Sequence, residues 1–255
     1  MMEKIPPQKI WTDEFKIFSF NVNREGKADI PMLCRYMQET AHNHADNLGV
    51  GYAFLKGKNL VWVLRGQRVR VERFPGWGDR IKIQTWPSGK DKLYYYRDFR
   101  FLSEDGERLG FATTKWMVVE VGSRRPQRSD SHFDFELWHN ERVYGEEFIK
   151  PESISQPEFR DSIEVRWSDI DIYQHVNNAV YIEYIIEAQR RRFNHQQDLK
   201  EIKIEYAAEA VYGDRISLEG QRISDFRCLY RLTRERDSKT ICTAETVWAM
   251  REEKI

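Results

Sequence analysis

Only three cysteines occur in the sequence, Cys34, Cys228 and Cys242, and no pair of them has C-x-x-C spacing. An odd, scattered set argues against a disulfide framework and suits a reducing compartment. Nowhere do eighteen apolar residues run together, so no membrane-spanning helix is expected, and the opening MMEKIPPQKIWTDEFK lacks the apolar core of a signal peptide. A surplus of one charge is missing too, because 41 Lys and Arg balance 41 Asp and Glu. Nucleic-acid binding rests on phosphate neutralisation and usually shows as a basic excess. These absences predict a soluble cytoplasmic protein with no nucleic acid and no membrane among its partners. What is present is material for a core: 40% hydrophobic residues, with 8 Trp, 12 Tyr and 14 Phe in 255 residues, sufficient for one large domain or two ordinary ones.

Two stretches of the chain answer each other. VRVERFPGWGDRIKI at 69–83 and IKIEYAAEAVYGDRISL at 202–218 each contain an alternating strand, a glutamate, an aromatic-Gly-Asp-Arg-Ile turn and a second alternating strand. Downstream, ATTKWMV (112–118) is echoed by TAETVWAM (243–250). The turn aspartates, Asp79 and Asp214, lie 135 residues apart and the tryptophans, Trp116 and Trp248, 132 apart, which points to two copies of one unit. Val69/Val71, Ile81/Ile83, Ile202/Ile204 and Ile216/Leu218 have the period-two pattern of half-buried strands. Before these strands each copy has one helical pattern. In the first copy it runs through Leu33, Tyr36, Met37, Thr40, Ala41, His44 and Leu48 to a C-cap at Gly49. In the second it runs through Val180, Tyr181, Tyr184, Ile185 and Ala188 to Arg190–Arg192, where cations suit a helix C-terminus. The pattern predicts an α+β protein of two tandem hot-dog units, each an antiparallel sheet wrapped around a long helix. The expected boundaries are 1–145 and 156–255, with a proline-interrupted connector within 122–159.

The stretch SDIDIYQHVNNAVYIEY (168–184) concentrates polar side chains just before the second helix. One reading is local: Asp171 serves a turn, Asn177 or Asn178 caps the helix, and His175 fills a loop. The other is chemical. A helix N-terminus offers unpaired N–H groups to oxygen that gains negative charge. His175 beside it exchanges protons near neutral pH, and Asp171, four residues earlier, is placed to orient the imidazole. Such a cluster suits acyl chemistry, in which a carbonyl becomes an oxyanion.

The run DIDIYQHVNNAVYIEY closely resembles the signature of the acyl-ACP thioesterases, D-x-D-x-N-Q-H-V-N-N-x-x-Y-I. The resemblance extends to QETAHNHADNLGV, LVWVLRGQRVRVERFPGWGDRIKIQTW, YYYRDFRF, ATTKWMVV and SRRPQR in the first copy and IEYAAEAVYGD in the second, so it covers nearly the whole chain. It implies hydrolysis of the thioester between a fatty acyl chain and acyl carrier protein, the acyl chain being linked through 4'-phosphopantetheine, with no cofactor and no metal. The catalytic groups would lie in the second unit, and the first would enclose the acyl chain. Position by position, the resemblance assigns the family's aspartate to Asp171, its histidine to His175 and its glutamate to Glu209. Two positions depart from it: Tyr173 stands at the usual catalytic asparagine, and Ala210 where plant members have cysteine. Tyr173 and Asn177 are therefore candidates to share the asparagine's role. Without a thiol at 210, hydrolysis is expected to use activated water rather than a cysteine nucleophile.

Other clusters are read more plainly. His42 and His44 sit two apart on a helix, point to different sides and have no third ligand. Glu39 and Asn43 are taken as structural. Trp62, Phe74, Trp77, Trp86, Tyr94, Tyr96, Phe99 and Trp116 are expected mainly in the core. Arg124, Arg125 and Arg128, with Arg190–Arg192, are candidates for docking an acidic carrier protein, against the plainer reading of a solvated face. A homodimer is left open. The rival functions are an acyl-CoA thioesterase, a non-catalytic acyl-thioester-binding hot-dog protein, and a hot-dog dehydratase. The last would call for a Pro-Gly turn after the histidine, whereas His175 is followed by Val-Asn-Asn.

Overall fold

The structure, a computed structural model, describes residues 6–129, 139, 141–145, 148, 150–193 and 196–251. Much of the expected connector (130–138, 140, 146–147 and 149) thus lies outside the described residues. The chain divides into two compact units, Met1–Gln67 with Val71–Phe148, and Arg68–Arg70 with Ile149–Ile255.

The first unit runs β1 (Trp11–Lys16), α1 (Ile30–Asn47), α2 (Tyr52–Gly57), β2 (Leu60–Val71), β3 (Arg80–Lys90), β4 (Tyr95–Ser103) and β5 (Arg108–Glu120). The second runs β6 (Phe159–Glu164), α3 (Asn178–Arg192), β7 (Gln197–Tyr206), β8 (Arg215–Ser224), β9 (Arg227–Arg234) and β10 (Lys239–Met250). Strand order is β1-β3-β4-β5-β2 in the first and β6-β8-β9-β10-β7 in the second, the same topology twice. The registered pairs of both are antiparallel. This is the tandem hot-dog fold. Among the described residues, α2 has no counterpart in the second unit.

Burial follows the alternation read from sequence. Ile81 and Ile83 of β3, and Ile216 and Leu218 of β8, are fully enclosed, whereas Arg80 and Arg215 beside them are exposed. On α1 the buried face is Ile30, Leu33, Cys34, Met37, Ala41 and His44, the three- and four-residue steps of an amphipathic helix. Each enclosed aliphatic side chain contributes about 1.5–3 kcal/mol relative to exposure. Asp29 caps α1 by accepting from Met32 N–H, and Pro31 sits in the first turn, where no N–H is needed. The helix ends in a Schellman motif: Gly49 N–H bonds to Asp46 C=O at 3.0 Å and Val50 N–H to Ala45 C=O at 2.9 Å. Gly49 itself is the left-handed residue, φ +73°, one position beyond the cap. Val50 and Ala45 then meet in a cluster with Leu55, Leu60, Tyr95 and Val118.

Trp77 departs from its expected place in the core, being 71% exposed at the tip of the β2–β3 turn, while Trp86 and Phe99 are enclosed. Its sequence neighbours Gly76 and Gly78 place it on the turn rather than on either strand face. Among the described residues, no helix is long and apolar enough to cross a membrane.

Candidate active site

The segment between β6 and α3 folds as a closed polar loop. Asn177 N–H bonds to Asp169 C=O at 3.0 Å, and Asp171 N–H to His175 C=O at 2.9 Å. The Asp171 carboxylate accepts from Tyr173 N–H at 2.8 Å, an Asx turn. Gln174 N–H closes back on Asp171 C=O with Gln174 at φ +66°. Asn177 caps α3, its side-chain oxygen accepting from Ala179 N–H at 2.9 Å. The turn and cap roles are thus real. The bonded link between Asp171 and His175 is through backbone, and the Asp171 carboxylate bonds to Tyr173 N–H rather than to the imidazole.

The imidazole instead faces Glu209. His175 Nε2 lies 3.1 Å from Glu209 Oε2, with 31% and 46% of the two side chains exposed. A pair this exposed adds about 1 kcal/mol or less to stability. Glu209 reaches the loop because its segment is tied to it: Val176 N–H donates to Ala210 C=O at 2.9 Å. That bond also takes Val176 N–H out of the set that could meet a carbonyl. Val176 and Asn177 spend their N–H groups on Ala210 and Asp169, and Ala179 spends its own on the cap. Asn178 is left as the first-turn N–H with no recorded partner among the described residues. Tyr173 is 49% exposed.

Asp169, two residues before the loop closes on Asp171, is tied on several sides. Its carboxylate is buried, accepts from Tyr184 O–H of α3 at 2.7 Å and Arg166 N–H at 2.8 Å, and pairs with the Arg166 guanidinium at 3.0 Å. Burial pushes this carboxyl up, but the Arg166 and Tyr184 hydrogen bonds more than offset it and hold Asp169 below the ordinary range.

All three cysteines are buried, on α1, β9 and β10. Burial pushes the Cys34 thiol up to about 12 and raises Cys228 and Cys242 as well. His42 is exposed beside Asp46, whereas His44 is enclosed, stacked on Trp11. Burial and then the Arg97 charge lower His44 to about 3, so the ring is neutral: Nε2–H donates to Gln8 C=O, and Nδ1 accepts from Arg97, each at 2.8 Å. Among the described residues, no group of three or more His, Cys, Asp or Glu is arranged to hold a metal ion.

Two copies of a helix-wrapping sheet, with the His175–Glu209 contact in the second, define a double hot-dog protein with an asymmetric candidate site. The sequence profile of the acyl-ACP thioesterase N-terminal domain matches residues 8–133, and that of the C-terminal domain residues 152–250. The chain belongs to the acyl-ACP thioesterase family. It is 28% identical to a chloroplastic palmitoyl-acyl carrier protein thioesterase of Gossypium hirsutum, over 94% of this chain and 63% of that protein. It is 30% identical to one of Arabidopsis thaliana, over 78% of this chain and 52% of that protein. The chain thus spans between half and two thirds of the length of these curated relatives. Its fold is similar to the crystal structure of an acyl-ACP thioesterase from Bacteroides thetaiotaomicron, with TM-score 0.85, 23% identity, and coverage of 94% of this chain and 98% of that one.

Proposed function

We propose that the protein hydrolyses the thioester of fatty acyl-acyl carrier protein, releasing a free fatty acid and the carrier's 4'-phosphopantetheine thiol. The observation that carries this reading is the 3.1 Å contact of His175 with Glu209 beside the N-terminus of α3. The pair takes a proton from water as its oxygen attacks the acyl carbon. The oxyanion lies toward the Asn178 N–H, and collapse breaks the C–S bond, the thiolate recovering the proton. Asp171 and Asn177 hold the loop and the helix start that aim these groups. Tyr173, at the family's asparagine position, lines the entrance, and its hydroxyl takes part of that residue's role. Water is the nucleophile: the thiols are enclosed and raised, and Ala210, at the position of the plant cysteine, is fully buried. The catalytic groups belong to the second unit, and enclosure of the acyl chain falls to the first. The candidates for carrier docking include Arg124 and Arg125, which are exposed on the turn after β5, and Arg191 and Arg192, which pair with Glu187 and Asp161.

Thiol release from carrier-linked and coenzyme A-linked acyl chains tests the proposal. The carrier-linked substrate should be preferred, and His175→Ala and Glu209→Ala should each lose at least tenfold while staying folded. One oxyanion-stabilising group is typically worth about 2.7–4 kcal/mol. Wild-type rates in both variants would sink the site. Preference for coenzyme A would make the protein an acyl-CoA thioesterase, and tight acyl-thioester binding without thiol release a non-catalytic binder.

A further inference from the structure

The two units differ in how they hold the segment that carries Glu209. A shift of 135 residues superposes the turn after β2 on the turn after β7, bond for bond. Gly76 N–H bonds to the Asp79 carboxylate at 2.8 Å and Val211 N–H to that of Asp214 at 3.0 Å. Ile17 N–H reaches Asp79 C=O at 2.8 Å and Val165 N–H reaches Asp214 C=O at 2.9 Å. On this match Phe74 corresponds to Glu209 and Pro75 to Ala210. A shift of 148 residues does the same for the loops and helices. Asn23 N–H bonds to Lys27 C=O as Asp171 N–H bonds to His175 C=O, and Ala28 N–H reaches Pro75 C=O as Val176 N–H reaches Ala210 C=O, all at 2.9 Å. Leu33 of α1 therefore corresponds to Tyr181 of α3. Register pairs Ile81 with Ser103 and Ile216 with Arg234, so Ser103 corresponds to Arg234.

Two bonds of the second unit are not made by the corresponding described residues Pro75, Leu33 and Ser103 of the first. The Arg234 guanidinium is locked by both Asp237 oxygens, Nε to Oδ1 at 3.0 Å and Nη2 to Oδ2 at 2.7 Å, and its remaining Nη1 donates to the Glu209 carbonyl. On the other side of the same peptide, Ala210 N–H donates to Tyr181 O–H at 3.1 Å, inside the core. In the first unit Pro75 has no N–H to satisfy, Leu33 has no hydroxyl to offer, and Ser103 replaces the arginine. That unit folds to the same topology without either bond, so neither is required by the fold. Both bracket the one peptide that follows the Glu209 side chain. Holding a peptide at both its C=O and its N–H edge restrains the backbone that carries the Glu209 side chain, and a misplacement of about 1 Å in a reacting group is enough to cost a hundredfold in rate.

We infer that Arg234 and Tyr181 are positioning residues that act through Glu209, holding its carboxylate against His175; the inference rests on the proposed roles of those two groups. The Tyr181 hydroxyl suits the task of a fixed acceptor, because burial raises its phenol well above the ordinary value and keeps it protonated.

The test uses the full chain and carrier-linked acyl thioester. Arg234→Met and Tyr181→Phe should each lower kcat about tenfold with KM within about twofold, and Arg234→Lys should recover part of the loss, since an ammonium still donates to the carbonyl. In a Glu209→Gln background Arg234→Met should cost nothing further, because both substitutions disable the same group. An independent readout is the ring nitrogen resonances of His175 in labelled protein, which Arg234→Met should displace as Glu209→Gln does. An unchanged kcat with unchanged His175 resonances in Arg234→Met overturns the inference, as does an equal extra loss in the Glu209→Gln background. Failure of the underlying reading is distinct: Glu209→Gln itself would then keep the wild-type rate.

Discussion

The loop at 23–29 and the loop at 171–177 have the same backbone and almost no side chain in common. Both close through a bond from their first N–H to the carbonyl four residues on, both pass through a left-handed residue, Gly26 in one and Gln174 in the other, and both deliver a helix cap. Yet the place of His175 is held by Lys27 in the first, that of Tyr173 by Glu25, and that of Glu209 by Phe74. The difference separates what the fold needs from what the chemistry needs. The loop is a scaffold that tolerates different side chains, and on the proposed function the reactive groups are carried by one copy.

The comparison breaks most severely if the second loop is rewritten as the first. His175→Lys combined with Glu209→Phe should leave the circular dichroism spectrum unchanged, since the same backbone accepts those side chains in the first unit. Thiol release should fall by about a hundredfold or more. Retained activity would show that the asymmetry between the copies is incidental. A smaller effect is expected at Asp169, whose counterpart is Asn21. Asp169→Asn should cost about 2 kcal/mol at neutral pH, the order of one buried hydrogen bond to a charged group. Because the folded carboxyl is held below its unfolded value of about 3.9, that stabilisation is complete above this pH and fades as pH falls through the folded value. Urea titrations should therefore find wild type and variant far apart at pH 7 and closer together at pH 3. The smallest effect concerns the left-handed residue. No atom lies within 4 Å of a Cβ built on Gly26, so Gly26→Ala should cost only backbone strain, about 1 kcal/mol. Gln174→Gly should be near neutral, its relieved strain set against a freer unfolded chain. A loss above 3 kcal/mol at Gly26 would mean the loops differ in more than side chains.

Much of this was legible in the sequence. Alternating Val and Ile marked the strands, three- and four-residue steps marked α1 and α3, and the Gly-Asp-Arg turns exposed the duplication. The 148-residue correspondence was not, because NREGKAD and DIYQHVN share no residue in register. Their likeness lies in backbone hydrogen bonds and one positive φ, and α2 with its connections changes the spacing before the strands begin. His175 and Glu209 were picked out by a motif, and their approach to 3.1 Å is a tertiary fact. Asp171 was expected to orient the imidazole, but its carboxylate closes a turn, which D-x-Y alone equally allows. Arg234 carried no signal, lying on a strand 25 residues beyond Glu209 in a chain rich in arginine. Tyr181 looked like one more apolar step of a helix, since its spacing says nothing of what its hydroxyl meets.

Pro75 and Ala210 also constrain the order in which the two copies can change. Turning the second copy's Ala210–Tyr181 pair into the first copy's Pro75–Leu33 pair takes two substitutions. If Tyr181 is lost first, Ala210 is left with an N–H sealed from water and without an acceptor, a penalty of about 1–3 kcal/mol. If Ala210 becomes proline first, the donor disappears before its acceptor does, and a hydroxyl that has lost one donor can still turn. The order of the two substitutions therefore matters: proline first removes the donor along with its need, whereas loss of the tyrosine first strands it.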